Sequence, residues 1–255
     1  MSNILKASKM NKQVELGKDN VLHILKDVEL EVQRGEFIAV MGPSGSGKST
    51  LLYNISGMDR MTSGSVKFKG HEIGGLKEEE LARIRLNDMG FIFQDINLLK
   101  NLSLIDNVMF PALVARDADK EAVSRRARKL LEMTGIEELA DNTITQASGG
   151  QLQRAGICRA LINEPDIIFG DEPTGALDSK SAAEIMAILA DINQQGTTVM
   201  LVTHDIKVAA KAERLLYMVD GNIVAQKKME KYAAPHHNIM EREESVMKWL
   251  VASGV

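Results

Sequence analysis

Residues 42–50 read Gly-Pro-Ser-Gly-Ser-Gly-Lys-Ser-Thr, and these residue types at this spacing can hold phosphate. Gly42, Gly45 and Gly47 let the backbone curl until several N–H groups face one anion. Pro43, Ser44 and Ser46 fill the turn between them. Lys48 is spaced to reach β- and γ-phosphates, and the Ser49 hydroxyl to bind Mg2+. Thr50 enters an apolar helix whose N-terminal partial charge adds to the attraction. A glycine- and serine-rich turn without chemistry is the plain alternative. A Lys-Ser pair closing such a turn at a strand-to-helix junction argues against it.

A second cluster follows at residues 166–172, Asp-Ile-Ile-Phe-Gly-Asp-Glu, an apolar run ending in two carboxylates. Ligands of open α/β sheets sit beyond the carboxyl ends of strands. Asp171 is therefore placed to hold a metal through water, and Glu172 to polarise an attacking water. Phosphoryl transfer asks mainly for positioning and charge neutralisation, so one well-aimed carboxylate suffices. A merely solvated acidic strand end is the alternative, and it loses ground beside a phosphate cradle.

These groups need a scaffold. Apolar runs rich in β-branched residues at 37–41, 90–93, 166–169 and 198–203 predict buried parallel strands. Runs at 215–219 and 222–225 flank Asp220-Gly221, a hairpin signal. Residues 28–32 and 65–69 alternate apolar and polar, which predicts half-exposed antiparallel strands. Ile185, Ile188, Leu189 and Ile192 share one helical face, with Gly196 as a stop. A charged helix is predicted over 121–134, ended by Gly135. Strands alternating with helices predict a parallel α/β core. The mostly helical region of about 95–163 reads as an insertion between two core strands.

Composition narrows the function classes. The 255 residues suffice for a buried core, and 44% hydrophobic with 26% charged residues is ordinary for a globular protein. The net charge of −4 weighs against a nucleic-acid partner. One cysteine, Cys158, excludes an internal disulfide and fits a reducing compartment. The N-terminus reads as lacking a signal peptide, and no apolar run approaches the roughly 20 residues needed to span a bilayer.

Further residues carry a resemblance. Ser148-Gly149-Gly150-Gln151-Leu152-Gln153-Arg154 resembles the signature motif of the ABC transporter ATPases. Asp171-Glu172-Pro173-Thr174 and then Gly175-Ala176-Leu177-Asp178 look like that family's Walker B and D-loop. Gln94 matches its Q-loop and His204 its switch histidine, with the motifs in the family's order over roughly residues 4–225. The resemblance implies an α/β fold: a RecA-like P-loop NTPase core, an antiparallel β subdomain and an inserted α-helical signature subdomain. It implies an ATPase domain over 1–232, with the helical subdomain at about 95–163, and a C-terminal helical extension over 233–255.

The resemblance also implies roles. Residues 42–50 would bind ATP; Glu172, His204 and Gln94 would be catalytic; Ser49, Gln94 and Asp171 would hold Mg2+, partly through water. Ser148, Gly149, Gly150 and Gln151 would reach the γ-phosphate held by another subunit, and Asp178 would form the D-loop. ATP and Mg2+ are the implied cofactors. The implied partners are a second copy, as a homodimer, and an integral membrane permease, with no nucleic acid. That places the chain peripherally at the cytoplasmic face of the cell membrane. The closest branch is the bacterial one for macrolide and antimicrobial-peptide export or resistance, lipoprotein release and cell division. A soluble ABC ATPase of DNA repair or translation is the rival, but one cassette, one cysteine and no extended heptads argue against it. Lys48, Asp171, Glu172 and His204 argue against a regulator that does not hydrolyse.

Several residues depart from the pattern or lie beyond it. Ala147 stands where the signature usually begins with Leu, which changes packing rather than chemistry. Val14 stands where the family usually stacks an aromatic on adenine, and residues 1–36 contain no aromatic. Leu98 and Leu99, after the Q-loop, read as a docking surface or as helical core. In the tail, Ile239, Met240, Val246, Met247 and Leu250 are expected on one helical face, packed on the chain's own domain by preference over the second subunit or, last, a membrane surface. His236-His237 lacks partners for a metal site and reads as loop. Because base stacking contributes about 1–3 kcal/mol, the missing aromatic predicts that GTP is used alongside ATP. Turnover of the two nucleotides side by side checks this; strict ATP preference would place a base-reading group elsewhere.

Overall fold

A computed structural model describes residues 3–17, 20–115, 119–232 and 238–253. A long hairpin opens the chain, β1 (Asn3–Gly17) against β2 (Asn20–Gln33). β3 (Phe37–Met41) and α1 (Lys48–Ile55) flank the glycine-rich turn. β4 (Ser63–Phe68) and β5 (His71–Glu72) follow, then α2 (Glu78–Asp88) and β6 (Met89–Phe93). Three helices come next: α3 (Leu104–Val114), α4 (Lys120–Met133) and α5 (Gly149–Leu161). The chain returns through β7 (Ile167–Asp171), α6 (Ser179–Gln194), β8 (Thr198–Val202) and α7 (Ile206–Ala209). It ends with β9 (Arg214–Val219), β10 (Asn222–Lys228) and α8 (Ile239–Ala252).

Two sheets result. An antiparallel sheet has the order β2-β1-β4-β5, and the larger sheet runs β10-β9-β3-β8-β7-β6. In the larger sheet β9, β3, β8, β7 and β6 are parallel, and β10 turns back through Asp220-Gly221. Every residue of β3 and β8 is buried. Helices or the second sheet cover both faces, which is why these strands are continuous apolar runs. One core lies between the two sheets around Leu51, Leu52 and Ile55 of α1. A second lies on the opposite face beneath Ile185, Leu189 and Ile192 of α6, the stripe expected from their spacing. A third joins α3, α4 and α5 through Val108, Leu131, Ala155 and Cys158. Each fully buried aliphatic side chain contributes about 1.5–3 kcal/mol.

The hairpin is longer than the 28–32 segment suggests. Lys9 and Asp27 adopt left-handed backbone (φ 46 for each), and the register shifts several times along the pair. Such bulges break the strict alternation that marks a strand in sequence. The strand expected at 166–169 runs instead to Asp171, because pairing with β8 continues to Val202.

The tail helix α8 packs on the chain's own second core through Ile239, Val246, Trp249 and Leu250. The expected face needs correction: Met240 and Met247 are exposed, and Arg242 is buried in their place. The inner stripe follows 239, 242, 246 and 249, whereas 240 and 247 lie round the other side. Arg242 donates to the carbonyls of Ala210 (2.6 Å), Ala212 (2.8 Å) and Glu230 (2.9 Å). Its guanidinium stacks 5.6 Å from the Tyr232 ring centroid. An apolar side chain could not meet those carbonyls, which explains a charge on the inner face. His236 and His237 lie outside the described residues. Among the described residues no helix is long and apolar enough to cross a membrane. Arg242→Met should destabilise the fold by about 2–3 kcal/mol, because buried carbonyls lose a charged donor; denaturant unfolding measures it.

Candidate functional site

Strand register gathers the site. Phe93 of β6 pairs with Asp171 of β7, Asp171 with Val202 of β8, and Val202 with Val40 of β3. The next residues of each strand leave the sheet at one edge. Gln94, Glu172, His204 and the 42–50 turn are therefore neighbours although far apart in sequence.

A cavity of ≈ 600 Å³ opens there, lined by Gly42, Ser44, Gly45, Gly47, Lys48, Ser49 and Thr50, with Glu172 and His204 opposite. Gly42 is required by space: a Cβ would stand 2.2 Å from the Met218 carbonyl oxygen, at φ 151. Gly47 caps α1 at φ 96 with no capping side chain, which leaves the first helical amides for a ligand. Lys48 is nearly buried and donates to the carbonyls of Gly42 (3.0 Å) and Pro43 (2.8 Å). Burial pushes its ammonium below the usual lysine range, and the Glu172 and Asp171 charges pull it back up. Ser46 is buried, and its hydroxyl oxygen has no hydrogen-bond partner. A buried cation, a lone buried hydroxyl and free helix amides around one cavity fit a polyphosphate.

The two acidic residues part company after β7. Asp171 turns towards α1, where Ser49 donates to its Oδ1 at 2.9 Å and Tyr53 to its Oδ2 at 2.7 Å. A hydroxyl and a carboxylate are the hard oxygen donors that suit Mg2+. Glu172 takes left-handed backbone (φ 46) and brings its Oε2 to 2.9 Å from His204 Nδ1. His204 itself is largely exposed, at 70% of its side chain. Gln94 is also exposed. Its Nε2 and Glu172 Oε2 each lie 3.3 Å from where a Cβ of Gly175 would stand, so Gly175 leaves room for both.

The signature residues sit elsewhere. Ser148 caps α5, accepting from Gln151 N–H at 3.4 Å, while its own N–H donates to Gln151 Oε1 at 2.8 Å. Gly149 and Gly150 begin the helix. A Cβ on Gly150 would meet Ser181 Oγ at 2.9 Å, so the start of α5 packs against α6. Asp178 caps α6, accepting from the amides of Lys180 and Ser181 and the Ser181 hydroxyl. Those bonds, the Ser181 hydroxyl first, hold its carboxyl below the usual range. None of Ser148, Gly149, Gly150, Gln151 or Asp178 lines the phosphate cavity.

The ABC transporter family profile matches residues 25–175. This chain belongs to that family. Its fold is that of an ABC ATPase: it superposes with a TM-score of 0.83 on the ATP-binding cassette MJ0796, solved as a dimer bound to ADP and Pi. That match is 40% identical and covers 89% of this chain and 100% of the other. The ABC ATPase is also 41% identical to the bacitracin export ATP-binding protein BceA of Halalkalibacterium halodurans, over 88% of each. It is 44% identical over 88% of its length to the macrolide export ATP-binding/permease protein MacB of Hahella chejuensis, but spans only 34% of that protein.

Some residues at or beside the ABC ATPase site were given no role from its motifs. Leu22 and Ile24 of β2 line the cavity, whereas Val14, paired with Leu22 across the hairpin, does not. Gln153 is buried and donates to the carbonyls of Phe93 (3.2 Å) and Pro173 (2.7 Å). Tyr53 stands four residues after Ser49, a spacing that places both on one helix face. Removing a charged donor from phosphate costs about 1.5–3 kcal/mol, so Lys48→Ala should weaken ATP about 10–100-fold in equilibrium titration. Unchanged affinity would remove Lys48 from the phosphate site.

Proposed function

We propose that this ABC ATPase drives a membrane permease by closing as a homodimer around two ATP molecules. The observation carrying this reading is that Ser148–Gln151 lie outside the cavity their chemistry serves. A helix start with two glycines and a hydroxyl is an anion site. A second copy facing head to tail brings that site to the γ-phosphate on Lys48. Glu172 then polarises the attacking water, with His204 bonded to its carboxylate and Gln94 beside it. Ser49, Gln94 and Asp171 would hold Mg2+, partly through water, and the cation would neutralise phosphate charge. The ATPase domain is assigned to 1–232, with the helical subdomain at about 95–163 and the extension at 233–255.

The permease site is assigned to the junction of β6 with the helical subdomain. A cavity of ≈ 470 Å³ lies there, lined by Met58, Leu86, Phe91, Pro111 and Arg159 among others. Leu99, Phe110, Leu113 and Val114 are exposed nearby in sequence, and Leu98 packs inward. Exposed apolar surface of this kind suits a helix of a partner. The names of the BceA and MacB relatives support antimicrobial-peptide or macrolide export or resistance as the process, at the cytoplasmic face of the membrane.

Glu172→Gln should bind ATP, lose turnover about 100-fold or more, and accumulate as a nucleotide-bound dimer by light scattering. Parental turnover would take catalysis away from Glu172. Ser148→Arg should keep monomer ATP affinity yet fail to dimerise; a dimer of normal activity would refute the shared site.

A further inference from the structure

The Asp171 carboxylate is held at both oxygens from a single helix. Ser49 donates to Oδ1 (2.9 Å) and Tyr53 to Oδ2 (2.7 Å). The two donors sit one turn apart on α1, and the carboxylate ends β7. Tyr53 is well braced for such a task. Its ring packs against the core between the sheets, and its carbonyl accepts from the amides of Met58 (2.9 Å) and Asp59 (3.0 Å).

The two hydroxyls are not equivalent. Ser49 is the residue that would bind the cation, through a lone pair, while its single proton serves only Oδ1 of Asp171. The phenol is longer, carries no cation-binding role and approaches the other carboxylate oxygen. We propose that Tyr53 is the positioning residue for the metal-holding carboxylate, fixing Oδ2 of Asp171 while Ser49 is shared between Oδ1 and the cation. This rests on the reading that Asp171 serves Mg2+.

Hydrogen-bond partners behind a metal ligand typically change metal affinity about 10–100-fold when removed. The phosphate cradle does not include Tyr53, so nucleotide affinity without metal should be unaffected. The experiment uses the full chain with a non-hydrolysable ATP analogue, and Mn2+ as the probe, followed by the paramagnetic resonance of free Mn2+. Tyr53→Phe should weaken Mn2+ about tenfold or more, with analogue affinity in chelator and melting temperature unchanged. Tyr53→Met, which fills the space with a pliable side chain, should show the same loss. Unchanged Mn2+ affinity in both variants overturns the proposal. So does an equal loss of metal-free nucleotide binding, which would make Tyr53 a general support of α1. Asp171→Asn is measured in parallel: if it loses Mn2+ while the Tyr53 variants do not, only the role of Tyr53 falls. If Asp171→Asn also keeps Mn2+, the assignment of the metal to Asp171 falls with it.

Discussion

Parallel register is the constraint on which this molecule depends. β3, β8, β7 and β6 are held in one alignment because their side chains are buried on the sheet's two faces, so a slip would expose apolar surface on both. That alignment ends the four strands at one edge. It delivers the 42–50 turn, Glu172 and His204 to one cavity, with Asp171 behind Ser49 and Gln94 near Glu172. It also separates the neighbours Asp171 and Glu172. The last strand residue turns back to α1, and the first residue beyond the strand turns towards His204.

That turn has an energetic cost. A non-glycine residue in left-handed backbone costs about 1–3 kcal/mol unless its surroundings hold it. Here the Glu172 amide donates to the Val202 carbonyl and its carbonyl accepts from the Gly175 amide, both at 3.0 Å. The Glu172 carboxylate is thus placed by the sheet and by the following turn together. Its aim owes little to its exposed histidine partner.

Much of this was legible in the sequence, for identifiable reasons. β3, β7 and β8 were readable because burial on both faces leaves no polar interruption. The 42–50 turn was readable because only glycines fit its close approaches, as the Gly42 contact with Met218 demonstrates. The rule that ligands gather at strand ends then pointed to Asp171 and Glu172. Other features were hidden. β1 is bulged, so its alternation is broken. On α8 an arginine faces inward to meet three carbonyls, and pattern reading assigned methionines to that face instead. Leu22 and Ile24 belong to the cavity only because the hairpin folds over the phosphate turn, at a distance no local pattern encodes.

The buried amide of Gln153 has a mechanical consequence. It reaches from α5 to the strand end before Gln94 and to the turn after Glu172, so one nitrogen ties three segments of the chain. Any swing of α5 about the core must either drag both carbonyls along or tear two bonds at once. The position of α5 and the order of the strand-end turns beside the cavity are therefore tied together.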